Sequence, residues 1–176
     1  MKLLLVEDNQ HLRAAMRTGM EALGVGVTGE AATGEQAVAL GPALLPDAVL
    51  MDVELKDSRM NGIQAAAALR RELPRLPIVF YSIEDDDSYY RDFRRSGILS
   101  HYAYVRKSNY LLPSMVLPLL RDAISGRSFI DPEIEARVQE VRHKDEENPL
   151  DLLEPVEREI IPIANEPITP EACDIL

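Results

Sequence analysis

Five positions carry groups that could act together on a phosphoryl group. Carboxylates stand at Glu7, Asp8 and Asp52, a hydroxyl at Ser82 and an ammonium at Lys107. Each follows a short apolar run: residues 3–6 before Glu7, 48–51 before Asp52, 77–81 before Ser82, and 103–105 just ahead of Lys107. Three carboxylates brought together repel one another unless a cation sits among them. An all-oxygen donor set that keeps some water suits Mg2+. A carboxylate beside that ion can accept a phosphoryl group, with the metal and Lys107 neutralising its oxygens and Ser82 donating a hydrogen bond. Turns favour Asp and Ser at strand ends for purely local reasons. The weight therefore rests on all five occurring in order.

The elements that must position these groups follow from periodicity. The apolar runs 3–6, 25–28, 48–51, 77–81 and 103–105 read as five strands, the first buried on both faces. Between them lie helical stripes. Asn9 can cap a helix carrying Leu12, Ala15, Met16, Gly19, Met20 and Leu23, and Gly24 suits its end. Thr33 and Gln36 form a capping-box pattern. A further helix carries Ile63, Ala66, Ala67 and Leu69. The last stripe runs from Leu112 through Met115, Val116, Leu119, Leu120 and Ala123 to Ile124; Pro118 inside it predicts a kink or a late start. Strand and helix alternate about five times, which predicts an α/β fold, a doubly wound, five-stranded parallel sheet covered on both faces. In such sheets the ligand site lies beyond the carboxyl ends of the strands.

These residues resemble the receiver domains of two-component response regulators, of NarL/LuxR type. The resemblance covers roughly residues 1–127. It rests on Leu3-Leu4-Leu5-Val6-Glu7-Asp8-Asn9, on Val49-Leu50-Met51-Asp52-Val53 with Asn61-Gly62 downstream, on Pro77 to Ser82, and on Tyr104-Val105-Arg106-Lys107. It implies that Asp52 is the phosphoacceptor. It implies that Asp8, Asp52 and the backbone carbonyl of Glu54 ligate Mg2+, with Glu7 holding a metal-bound water. Ser82 and Lys107 would contact the phosphoryl group, and Ser82 and Tyr104 would form the switch, Tyr104 turning inward on activation; an ordinary half-buried strand aromatic is the alternative. The chain departs from the pattern at Ile83, where a small residue is usual, in the longer loop Leu55 to Met60, and at Ser108, which replaces the common proline after the lysine and is a residue type usual in the NarL/LuxR-type subfamily. The acidic run Glu84 to Asp87 reads as a solvated helix start. The implied function is that of a phosphorelay regulator, fed by a sensor histidine kinase and acting in transcription. It would not be an enzyme beyond its own phosphoryl transfer and dephosphorylation, and a homodimer is possible. The rivals are a receiver-fold interaction module that works without phosphate and a Mg2+-dependent phosphohydrolase, for which no second acid/base is evident.

The 176-residue chain is 46% hydrophobic with a net charge of −11. Its single Cys rules out an internal disulfide and fits a cytoplasmic setting, and no apolar run nears the roughly 20 residues of a membrane span. Residues 1–130 hold 16 acidic and 15 basic groups, while residues 131–176 hold 14 acidic and 4 basic, so nearly all the excess charge is in the last 46 residues. A boundary near 125–131 is expected, giving a receiver at 1–127, a linker with a helix at 128–150 and a partial helix-turn-helix-like tail at 151–176. Asp131 caps and Pro132 opens the linker helix, with Ile134, Val138 and Val141 on its stripe, and His143 to Asn148 reads as a charged hinge. The phrases Gly126 to Ile134 and Leu153 to Ile161 resemble the linker and first helix of the NarL/LuxR-type module. Pro162, Pro167 and a stop at Leu176 leave no recognition helix, so the tail is a truncated piece or a remnant with another job. Its charge argues against duplex DNA as a partner. Its stripes, including Ile160, Ile161 and Ile163, are expected to dock on the receiver or on a second chain.

Overall fold

The computed structural model describes residues 1–83, 85–110 and 112–147. The chain splits into two compact units, Met1–Gln139 and Glu140–Leu176. The expected helix-turn-helix segment and its Ile160, Ile161 and Ile163 stripe lie outside the described residues.

In the first unit β1 (Lys2–Val6), α1 (Gln10–Ala22), β2 (Gly26–Ala31), α2 (Gly34–Leu44), β3 (Ala48–Asp52) and α3 (Gly62–Glu72) alternate, followed by β4 (Ile78–Ser82), α4 (Asp87–Arg95), β5 (Tyr102–Arg106) and α5 (Pro113–Ile124). A short β6 (Ser128–Ile130) leads into α6 (Pro132–Glu147). All strand pairs are parallel, in the order β2-β1-β3-β4-β5-β6. Helices α1 and α5 pack together over one face; α2, α3 and α4 cover the other. Because side chains alternate along a strand, Leu3, Leu5, Leu50, Val79, Tyr81 and Val105 enter the α1–α5 core. Leu4, Val6, Val49, Met51, Phe80 and Tyr104 are buried at the intervening positions. Each fully buried Leu contributes about 1.5–3 kcal/mol. No helix among the described residues is long and apolar enough to cross a membrane.

Local chemistry sets the helix ends. Asn9 Oδ1 accepts from the amides of His11 and Leu12. Gly24, at φ +79°, closes α1 with the amide of Val25 on Met20 O and its own on Glu21 O. Thr33 caps Gln36, whose side chain reaches back to the amide of Ala32 rather than that of Thr33. A capping box absent from the sequence reading joins Asn61 and Gln64 at the start of α3.

Several expectations are corrected. The sheet has six strands, not five: β6 is too short for periodicity to reveal and exists because it covers the edge of β5, with Asp131 N–H donating to Tyr104 O at 2.8 Å. Strand β2 runs on to Ala31 past a register shift, held by pairing with β1. Helix α5 starts at Pro113 and continues through Pro118, so there is no late start, and Leu112 and Met115 of its stripe are exposed. The expected hinge is helical as far as Glu147, with i,i+4 pairs Lys144–Glu140, Arg142–Glu146 and His143–Glu147 supporting it.

Candidate functional site

The strand register brings the reactive groups level. Val6 pairs with Met51, Asp52 with Tyr81, and Ser82 with Arg106, so the carboxyl ends of β1, β3, β4 and β5 share one edge. Gly62 lets the start of α3 lie against that edge: a Cβ there would stand 1.9 Å from Asp52 O.

At this edge Lys107 Nζ lies 2.6 Å from Asp52 Oδ2 and 3.0 Å from Glu7 Oε2, all three side chains buried. Asp52 Oδ1 accepts from the Glu54 amide at 3.2 Å, Glu7 Oε1 from the Asn9 amide at 3.1 Å, and Asp8 Oδ2 from the Lys56 amide at 3.1 Å. Carboxylate oxygens of Glu7, Asp8 and Asp52 fall within 4.8 Å of one another. They open on a cleft of about 130 Å³ that Glu54, Lys56 and Ile83 also line. Three carboxylates there face the ammonium of Lys107. Burial pushes the Asp52 carboxyl up, to about 7, with Glu7 adding to the rise and the Lys107 charge opposing it. That surplus of negative charge, borne by oxygen donors beside a cleft with room for an ion and its waters, fits a divalent cation such as Mg2+.

Of the expected residues, Glu7, Asp8, Asp52, Glu54 and Lys107 meet around the cleft. Ser82 is buried at the end of β4, its carbonyl accepting from the Lys107 amide at 2.9 Å. Tyr104 lies elsewhere, in mid-strand. It is 1% exposed rather than half-buried, with ring centroids 5.6 Å from Phe80, 5.2 Å from Phe93 and 6.3 Å from Tyr90.

Two contributions escaped the sequence reading. Tyr81 donates from its hydroxyl to Glu7 Oε2 at 2.6 Å, and the Lys107 ammonium sits 4.5 Å above its ring. The signal was a phenol placed one residue before Ser82 in an apolar run. The loop after Asp52 is tied to α2: Glu35 accepts from the Ser58 hydroxyl and the Arg59 amide, both at 2.8 Å.

The response regulator receiver domain model matches residues 3–107. The chain belongs to this family. Among solved structures it is similar to a LuxR-family two-component response regulator from Aurantimonas sp. SI85-9A1, at 25% identity over 80% of this chain and 96% of that one, with a TM-score of 0.66. It is also similar to the signal receiver domain of a modulated diguanylate cyclase from Desulfovibrio desulfuricans G20, at 28% identity over 69% and 94% of the chains, TM-score 0.57. The signal receiver domain of the response regulator NarL from Mycobacterium tuberculosis shares the fold, at 24% identity over 72% and 97%, TM-score 0.60. A comparison with curated proteins finds no match. The matched residues of the receiver domain span β1 to β5 and the acidic edge.

Proposed function

We propose that this receiver domain accepts a phosphoryl group from a sensor histidine kinase on Asp52 and relays it by conformational change, in cytoplasmic transcriptional control of the NarL/LuxR type. The observation that carries this reading is the Lys107 ammonium held between Asp52 and Glu7, with Asp8 on the same cleft. An Asp52 oxygen attacks phosphorus, the P–O bond forms as the P–N bond of the phosphohistidine breaks, and the imidazole leaves. Lys107 passes from the carboxylate to a phosphoryl oxygen and offsets its charge. Ser82 donates to another oxygen, which draws on the loop leading to α4. Asp8, Asp52 and the Glu54 carbonyl would hold Mg2+, with Glu7 on its water; the ion supplies further neutralisation of the phosphoryl oxygens when bound. The chain would turn over no other substrate, and a second copy is a candidate partner.

Acetyl phosphate with Mg2+ tests the reading. Intact-mass spectrometry is expected to show one phosphoryl adduct, absent without Mg2+ and absent in Asp52→Asn. Ile83 at the cleft mouth favours a second reading, an interaction module independent of phosphate. An unmodified wild-type chain, under conditions that label other receivers, would select that alternative.

A further inference from the structure

Tyr81 is the residue of the acidic edge that the proposed chemistry does not yet use. It is 1% exposed, and a phenol hydroxyl is costly to bury without a partner. Its partner is Glu7 Oε2, at 2.6 Å. The other Glu7 oxygen accepts from the Asn9 amide at 3.1 Å, so Glu7 is gripped at both ends. The same Oε2 lies 3.0 Å from Lys107 Nζ, which also reaches Asp52 Oδ2 at 2.6 Å. The third side of that ammonium faces the Tyr81 ring, 4.5 Å from its centroid. In register, Tyr81 pairs with Asp52 itself. Below the site the ring is set in the α1–α5 core with Leu5, Leu50 and Val116, which fixes its plane.

We propose that Tyr81 is a positioning residue of the phosphoryl site: its hydroxyl fixes the Glu7 carboxylate and its ring face fixes the Lys107 ammonium against Asp52. The proposal rests on Asp52 as the phosphoacceptor. Lysine carries its charge on a flexible four-carbon stem, and ordering it costs rotamer entropy. A flat π surface and two carboxylates restrict that stem before the phosphodonor arrives, and such preorganisation lowers the barrier to transfer. A purely aliphatic residue at position 81 would fill the core but hold neither partner.

Two measurements test this on the whole chain. The first needs neither metal nor phosphate: reductive methylation with formaldehyde and cyanoborohydride, followed at Lys107 and at Lys56 by peptide mass spectrometry. The second is the rate of Mg2+-dependent labelling by acetyl phosphate. In the wild type, Lys107 is expected to react at least about ten-fold more slowly than Lys56, since two carboxylates and a ring shield its amine. Tyr81→Leu is expected to speed methylation of Lys107 about three-fold or more over the wild type, the ring contact being lost, and to slow labelling by about ten-fold or more. Tyr81→Phe keeps the ring and the core volume; it is expected to restore Lys107 protection but still slow labelling about three- to ten-fold, having lost the bond to Glu7. Equal Lys107 protection in the wild type and Tyr81→Leu overturns the proposal. So does a freed Lys107 with an unchanged labelling rate, which would leave Tyr81 as core filling alone. If the leucine chain does not fold, Tyr81→Phe decides, an unchanged labelling rate overturning the role of the hydroxyl. A wild-type chain that takes no phosphoryl group would defeat the reading of Asp52, while the methylation comparison would still show whether Tyr81 holds Lys107.

Discussion

Ile83 places an exposed aliphatic side chain, 68% accessible, on the rim of the cleft that contains Asp52. A bulky rim residue obstructs the in-line approach of water to an acyl phosphate. Ile83→Ala is therefore expected to shorten the lifetime of phosphorylated Asp52 several-fold, as followed by loss of the adduct in mass spectrometry; an equal or longer lifetime removes this role for Ile83. Asp52 itself carries a pH signature. Its carboxyl ionises near 7 in the folded domain against an ordinary 3.8, so between those values the folded state binds more protons than the unfolded one. Stability from this group is thus greatest at low pH and falls as pH rises through the window. Without divalent ions, Asp52→Asn is expected to gain in melting temperature over the wild type between pH 5 and pH 8, and added Mg2+ to narrow the gap. A gap that stays constant with pH would sink the argument. These residues were readable beforehand because each stands at the end of an apolar run. Tyr81 was not, since within its run it looks like one more buried aromatic.

The acidic run before α4 is the expected helix start, and the structure adds a second use for it. Asp86 caps α4 through the Ser88 amide at 2.7 Å, as a solvated helix start should. Its neighbours have other business. Arg137 of α6 donates to Asp85 Oδ1 and to Asp87 Oδ1, each at 2.8 Å, and lies 5.8 Å from the Tyr90 ring, whose hydroxyl also donates to Asp85. The Arg137 guanidinium, with the Tyr90 hydroxyl, holds the Asp85 carboxyl below its usual range. With Ile134 buried and Asp131 bonded to Tyr104, the first turns of α6 are fastened to the loop that leaves Ser82. Part-exposed pairs of this kind are worth roughly 1 kcal/mol. Arg137→Ala is accordingly expected to raise amide exchange about five-fold in residues 133–137 and to leave β1, β3 and β4 unchanged. Unaltered exchange in 133–137 would show that the Arg137 pairs do not anchor the helix.

On the scale of the whole chain, charge is the informative quantity. Residues 131–176 hold 14 acidic groups against 4 basic ones, and a duplex carries a phosphate charge every ~1.7 Å of its axis. Repulsion of that size predicts no sequence-specific binding of this chain to duplex DNA at physiological salt, phosphorylated or not, as measured by fluorescence anisotropy. Tight and specific binding would reverse this reading of the acidic segment.

Pattern along the chain was enough to establish the alternating α/β order, the parallel sheet and the acidic edge, because strand periodicity and strand-end residues are local properties. It was enough as well to single out Asp52, Glu7, Asp8 and Lys107 as one group. Pattern could not reveal β6, since three residues carry no period of their own and the strand forms only on the exposed edge of β5. Nor could it show which groups bond. Tyr81 and Glu7 are 74 residues apart, Lys107 and Glu7 100, and Arg137 and Asp85 52. Such pairs are created by strand register and by the docking of α6. Register in a buried sheet comes from packing both faces at once, and that is a property of the assembled core rather than of any one segment.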